Sequence, residues 1–370
     1  QHYQSLLKTL TGDDTSGLPL QPYQIRLLTG DTSAQEREEI STGCVDGSIR
    51  ILIGTHALIE DPVRFTNLQL AIIDEQHRFG IAQRAALRQK GENPHLLVMS
   101  ATPIPRSLAL TLFGDLDISI IDEMPVGRKP VDTQIIHPFA RDKAYTLINK
   151  EIASGHQAFI IYPLIDKGDD EDKKAAVDEH AYLQKEIFSH LNLGLLHGRM
   201  PADEKERVMR DFRDRKYEIL VSTTVIEVGV DVPNATVMLI EGANRFGLAQ
   251  LHQLRGRVGR GGDAAYCLLI PENEDAIENE RLAVMTETTD GFVLAEKDLE
   301  QRGPGDFIGF RQSGYADLRM ASLTDIHLIE KARHFAQEIL KDDPLLNQVE
   351  HQAIAERLSE LWKSESGDIS

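Results

Sequence analysis

The sequence predicts an α/β protein of two duplicated lobes with mostly parallel sheets, followed by a small C-terminal helical element. Three observations carry this. Leu28, Gly30, Ala34, Glu36, Ile51, Leu52 and Thr55 return 168 residues later as Leu196, Gly198, Ala202, Glu204, Ile219, Leu220 and Thr223. Short Ile/Leu/Val-rich runs alternate with helical patterns, as in α/β layers. After Pro271 the strand-like runs stop and helical periodicity takes over.

In the first lobe, strands are expected near Gln24–Leu28, Arg50–Gly54, Leu70–Ile73 and Leu96–Met99. In the second they fall near Ala158–Tyr162, Leu193–Leu196, Glu218–Ser222, Thr236–Ile240 and Tyr266–Ile270. None of these runs alternates with polar residues, which marks parallel strands covered on both faces. Ser33-Ala34-Gln35-Glu36 has the form of a capping box. Pro201 stands at the matching helix start of the second copy, where a missing N–H is harmless. The period is far too long for a solenoid. Gly127-Arg128-Lys129-Pro130 breaks the pattern and reads as the linker, and Lys167–Lys174 reads as a surface loop. The expected division is 1–130, 131–275 and 276–370, with the loop Arg302-Gly303-Pro304-Gly305-Asp306 inside the last part.

Apolar content of 41% and charged content of 27% are ordinary for a globular protein. No apolar run approaches the roughly 18 residues of a membrane helix. Two cysteines, Cys44 and Cys267, exclude a disulfide framework and point to a reducing cytoplasm. A net charge of −19 argues against uniform nucleic-acid binding but not against a local basic track. The chain opens on Gln1 within a helix-like pattern, so a segment of a longer protein is expected.

The chemistry concentrates in two places. Asp74-Glu75-Gln76-His77 follows the apolar run Leu70–Ile73, which delivers two carboxylates to a sheet edge. Mg2+ takes one or two carboxylates plus phosphate oxygens, so Asp74, with Glu75 beside it, is expected to hold it. Glu75 is expected to orient or deprotonate the attacking water of an ATP hydrolase. His77 is expected to bond Ser100 or Thr102 in Ser100-Ala101-Thr102. Arg257 and Arg260, flanked by Gly256, Gly259, Gly261 and Gly262, suit the charge that spreads over a transferring phosphoryl group. Their spacing of three predicts one helix face. Arg255 reads as structural. Gly229-Val230-Asp231 either brings a carboxylate to a ribose or to Arg257, or is an ordinary strand-to-helix turn. Thr55 and His56 in one lobe, with His197 and Arg199 in the other, suit contacts to a phosphate backbone that read no sequence. No G-x-x-x-x-G-K-[ST] phosphate loop occurs.

Asp74–His77, Ser100-Ala101-Thr102-Pro103-Ile104-Pro105-Arg106, Thr223–Pro233 and His252–Gly261 resemble motifs II, III, V and VI of superfamily 2 helicases. The stretch Leu294–Gly314 is similar to the translocation motif of the RecG family, with a looser likeness to the transcription-repair coupling factor. The resemblance implies two RecA-like lobes, the first incomplete. It implies an ATP- and Mg2+-dependent translocase on branched double-stranded DNA, acting at stalled forks and Holliday junctions. It adds Gln253, Gly229 and Asp231 to the nucleotide contacts and Thr223 and Thr224 to the DNA contacts. It makes Arg302, Asp306 and Gln312 coupling residues, alongside His77, Ser100 and Thr102. A monomer in the bacterial cytoplasm, working at the nucleoid with no membrane contact, is expected. A single-stranded DNA-binding protein is a further expected partner. Without a phosphate loop, this chain alone is expected to hydrolyse ATP negligibly. The competing readings are a coupling-factor translocase and a non-catalytic module that clamps DNA.

Overall fold

The structure is a computed structural model. It describes residues 3, 7–9, 20–100, 117–302 and 326–365, apart from 31, 60–62, 76–82, 84–85, 88, 93, 122, 126, 164–168 and 224–231. The chain divides into two compact units, Gln1–Ala101 and Thr102–Ser370.

In the first unit, β1 (Ile25–Leu28) and β2 (Ile51–Gly54) pair in parallel across the helix α1 (Ala34–Asp46). Ser33 caps α1 by accepting the Glu36 amide at 3.3 Å. Leu28, Ile40, Cys44 and Val63 form the small core beneath this pair. Gly54 is required there, because a Cβ would lie 2.1 Å from the Leu28 carbonyl oxygen. A second parallel pair joins β3 (Leu70–Ile73) to β4 (His95–Val98). Covering on both faces, expected from the apolar runs, fails here. Ala71 and Ile73 are buried, but Leu70, Ile72 and Leu97 are 52%, 58% and 48% exposed. One face of this pair is open apolar surface.

The second unit holds a six-stranded sheet in the order β5-β10-β9-β6-β8-β7. Its strands are β5 (Val131–Ile135), β6 (Gln157–Ile161), β7 (Leu193–Leu196), β8 (Ile219–Ser222), β9 (Ala235–Glu241) and β10 (Ala265–Ile270). Every strand pair is parallel among the described residues. Alternation along β6 feeds two cores. Phe159 and Ile161 pack with Phe212 and Leu251 on one face, and Ala158 and Ile160 pack with Ile148 and Phe188 on the other. The helices α2 (Arg141–Ala153) and α3 (Asp169–Tyr182), α4 (Ala202–Arg213) and α5 (Leu248–Arg255) follow the strands.

The duplication seen in sequence extends to hydrogen-bond register. Ile25 pairs with Ile51, and Leu193 pairs with Ile219. Each residue of the second pair lies 168 positions beyond its counterpart.

Two expectations need correction. Lys167–Lys174 is not all loop, because α3 begins at Asp169. The sheet also contains β5, which lies outside the strands expected from the sequence. It is an edge strand with alternating exposure, so its polar residues Asp132 and Gln134 broke the buried-strand pattern.

Beyond the sheet lie α6 (Glu280–Glu287), α7 (Gly291–Arg302), α8 (Ile326–Asp342) and α9 (Gln352–Glu365). Leu282, Met285 and Leu294 join the core formed by α4, α5 and the sheet. At the α8–α9 turn, the buried Asp343 carboxylate accepts the Asn347 and Gln348 amides and meets His351 Nδ1, each at 2.9 Å. Among the described residues no helix is long and apolar enough to cross a membrane.

Candidate active site

Asp74 and Glu75 leave β3 at its carboxyl end. The parallel register pairs Ile73 with Val98, so Met99 and Ser100 leave β4 beside them. The Met99 amide donates to the Ile73 carbonyl at 2.8 Å, which ties the two exits together. Asp74 is exposed, and its Oδ1 accepts the Glu75 amide at 2.9 Å. Glu75 is half-buried at a φ of 51°. That left-handed conformation costs a non-glycine residue about 1–2 kcal/mol, and such strain gathers at functional sites. The pair offers hard oxygen donors at a strand edge, suited to a divalent cation shared with phosphate. Among the described residues no group of three or more His, Cys, Asp or Glu could hold a metal by itself. A cation that takes most of its ligands from phosphate and water needs no such cage. His77 and Thr102 lie outside the described residues.

The repeat places a second set of groups on matching edges. The Thr55 amide donates to the Leu28 carbonyl at 3.4 Å, and the Thr223 amide donates to the Leu196 carbonyl at 3.2 Å. His197 follows Leu196 directly and is 9% exposed, while Arg199 stands exposed in the next turn. Thr55 is exposed. Thr223 is only 3% exposed, and its hydroxyl has no hydrogen-bond partner among the described residues. The side chain of His56, Thr224, Gly229 and Asp231 lie outside the described residues.

Arg257 and Arg260 do not share a helix face, contrary to expectation. α5 ends at Arg255, and residues 256–264 form a loop that descends to the amino end of β10. Its glycines explain the break. Gly259 has a φ of +73° and its added Cβ would stand 2.9 Å from the Ala265 Cβ. A Cβ on Gly261 would stand 2.6 Å from the Pro233 carbonyl oxygen. The Gly259 amide donates to Ala235 O, the first residue of β9, at 3.2 Å. This loop therefore sits at the amino edge of the sheet, opposite the edge carrying His197 and Thr223. Arg260 is exposed and its Nε donates to the Gly256 carbonyl at 3.1 Å; Arg257 and Gln253 are half-buried. Arg128, in the linker, donates to the same Gly256 carbonyl at 3.3 Å. Sequence reading assigned Arg128 no such role, since the contact spans 128 positions.

Arg255 is buried, 3% exposed. One guanidinium nitrogen donates to Met285 O at 3.0 Å and Thr288 O at 2.8 Å. The other donates to Thr289 O at 3.3 Å and to His252 Nδ1 at 3.0 Å. Burial, followed by the Arg255 charge, pushes the His252 pKa down to about 4. Among the coupling candidates, Ser100 is exposed at the β4 exit. Asp306, Gln312 and the side chain of Arg302 lie outside the described residues.

Family models tile this architecture. Residues 1–111 match the DEAD/DEAH box helicase family, 141–262 the helicase conserved C-terminal domain, and 288–367 the C-terminal part of domain 3 of ATP-dependent DNA helicase RecG. The class is thus that of the helicases. The RecG of a Synechocystis strain is 51% identical over 347 residues, which is 94% of this chain and 41% of that protein. The RecG of Bacillus subtilis is 45% identical over 359 residues, 97% of this chain and 52% of that protein. A solved structure of RecG bound to a three-way DNA junction superposes with a TM-score of 0.66 at 50% identity, covering 83% of this chain and 39% of that one. Yeast Dbp5 bound to RNA and ADP BeF3 shares the fold alone, at 15% identity and a TM-score of 0.52, over 74% of this chain and 68% of that one. The chain belongs to the RecG family of DNA helicases. It spans about half, or less, of the length of those relatives.

Proposed function

We propose that this chain is the motor portion of an ATP-driven translocase that moves on double-stranded DNA and remodels branched junctions and stalled forks. The observation that carries it is the strained Asp74–Glu75 pair leaving β3 directly beside Ser100 leaving β4. Asp74, with Glu75 beside it, would hold a Mg2+ ion, which would supply charge neutralisation to the phosphates of the nucleotide. Glu75 accepts the proton of the attacking water. Arg257 and Arg260 serve the same triphosphate by donating to the oxygens that gain charge in the transition state. Gln253, Gly229 and Asp231 contact the nucleotide. Thr55, His56, His197, Arg199, Thr223 and Thr224 meet the DNA backbone. His77, Ser100, Thr102, Arg302, Asp306 and Gln312 couple hydrolysis to movement. The division at 130 and 275 gives each lobe its own role.

The match of residues 288–367 to the third RecG domain favours this reading over a coupling factor or a passive clamp. Buried free cysteines fit the cytoplasm, where the protein acts as a monomer at the nucleoid with a single-stranded DNA-binding protein as partner. The deciding experiment is regression of a model fork by a protein of RecG length that carries this chain. ATP-dependent product that vanishes in Glu75→Gln supports the reading. Fork binding without ATP-dependent movement overturns it.

A further inference from the structure

We propose that Arg128, in the linker, is a positioning residue for ATP turnover, which steadies the loop carrying Arg257 and Arg260 and so sets where Arg260 meets the nucleotide. The proposal rests on the motor reading above, in which Arg260 serves the triphosphate. The linker sends one side chain inward. Among the described residues from 117 to 130, all are exposed except Arg128, which is half-buried. A tight turn leads into it. The Arg128 amide donates to the Pro125 carbonyl at 3.1 Å, and Gly127 takes a φ of +88° inside that turn. A positive φ at the third turn position is what glycine allows without strain.

The Arg128 guanidinium reaches the oxygen that also holds Arg260. Its Nη2 donates to the Gly256 carbonyl at 3.3 Å, and Arg260 Nε donates to the same oxygen at 3.1 Å. A carbonyl oxygen has two lone pairs, so it takes both donors. Two cations on one acceptor repel, so Arg128 turns the exposed Arg260 head away from the linker. A bound polyanion relieves that repulsion. The linker meets the loop again at its other end. A Cβ on Gly262 would stand 3.5 Å from the Gly127 carbonyl oxygen, and one on Gly259 would stand 3.5 Å from Val131 Cγ2, at the start of β5. Burial lowers the His252 pKa most, then Arg255, and Arg128 adds to them, so the Arg128 charge is felt at the last turn of α5. Residues 256, 259, 261 and 262 are all glycine, and such a backbone has little stiffness of its own. Its geometry therefore depends on contacts from outside the loop. A displacement of Arg260 by about 1 Å can cost up to about a hundredfold in rate.

The test uses a protein of RecG length that carries this chain, assayed for ATP turnover with duplex DNA present. Arg128→Met removes both the donor and the charge. We expect its kcat to fall at least about tenfold while KM for ATP stays within about threefold of the parent. Arg128→Lys keeps a cation and a donor for the Gly256 carbonyl, and should hold kcat within about threefold of the parent. In the Arg260→Ala background, adding Arg128→Met should cost no more than about twofold further, because the effect of Arg128 runs through Arg260. A merely structural Arg128 would give losses that multiply in that double variant. Multiplying losses, an unchanged kcat in Arg128→Met, or equal losses in Arg128→Met and Arg128→Lys overturn the proposal. If Arg128→Met fails to fold, Arg128→Gln decides, since its shorter side chain cannot span the gap. Near-parental turnover in Arg260→Ala overturns the motor role given to Arg260 itself, whereas multiplying losses beside a disabled Arg260→Ala overturn only the positioning by Arg128.

Discussion

Replacing Gly259 with alanine tests the loop that carries the arginines without touching either of them. Two physical effects add there. The φ of +73° costs an L-residue about 1–2 kcal/mol. The new Cβ would also approach Ala265 Cβ to 2.9 Å, an overlap worth roughly 1–3 kcal/mol. Gly155 separates the two effects, since it has a φ of +89° and nothing within 4 Å of its added Cβ. Gly155→Ala should therefore destabilise by about 1–2 kcal/mol and Gly259→Ala by about 2–5 kcal/mol. With a urea slope of about 3 kcal/mol/M, the midpoints fall by roughly 0.5 M and 1 M. Far-UV circular dichroism in urea reads both. Equal midpoints for the two variants would refute the close packing of the loop on β10. In a protein of RecG length, Gly259→Ala should also lose ATP turnover while Gly155→Ala keeps it.

Further outcomes follow from the same structure. His252 has its pKa lowered from 6.5 to about 4 by burial, then by Arg255. The unfolded chain takes up that proton first, so stability is greatest above pH 6.5 and declines as pH falls toward 4. The slope is up to about 1.4 kcal/mol per pH unit, and His252→Gln should flatten it in urea titrations across that range. On the open face of β3, Ile72→Ser should change stability by less than about 0.5 kcal/mol, whereas Ile73→Ser, at a residue 2% exposed, should cost about 3 kcal/mol or more. Equal effects would contradict the one-sided burial of β3. The isolated 370-residue chain, which holds no G-x-x-x-x-G-K-[ST] segment, should hydrolyse ATP at the buffer background with or without DNA. Turnover near that of a complete motor would remove the need for that segment.

How much was legible depended on what each residue's environment demanded. The offset of 168 was readable because the two strand pairs repeat the same residues, and the structure returns the same register in both copies. Buried parallel strands were readable from their unbroken apolar runs. β5 was not, because an edge strand alternates like half-exposed chain. The apolar run of β3 could not by itself say which face is covered, and Leu70 and Ile72 are apolar but exposed. The glycines around Arg257 and Arg260 signalled close backbone approach correctly. Spacing of three wrongly implied a helix, since two of those glycines adopt positive φ and divert the chain. The carbonyl partners of Arg255 lie 30 to 34 positions away, and no local pattern announces backbone carbonyls as acceptors.

We propose that Glu75 and Arg260 act on the same step of ATP turnover. A double-mutant cycle on ATP turnover tests it most directly, with Glu75→Gln, Arg260→Ala and their combination in a protein of RecG length. Groups acting on the same transition state give strongly non-additive losses. Each single variant should lose at least about a thousandfold in kcat, with the double variant within about tenfold of the worse single. Losses that multiply, or near-normal turnover in Arg260→Ala, would contradict it.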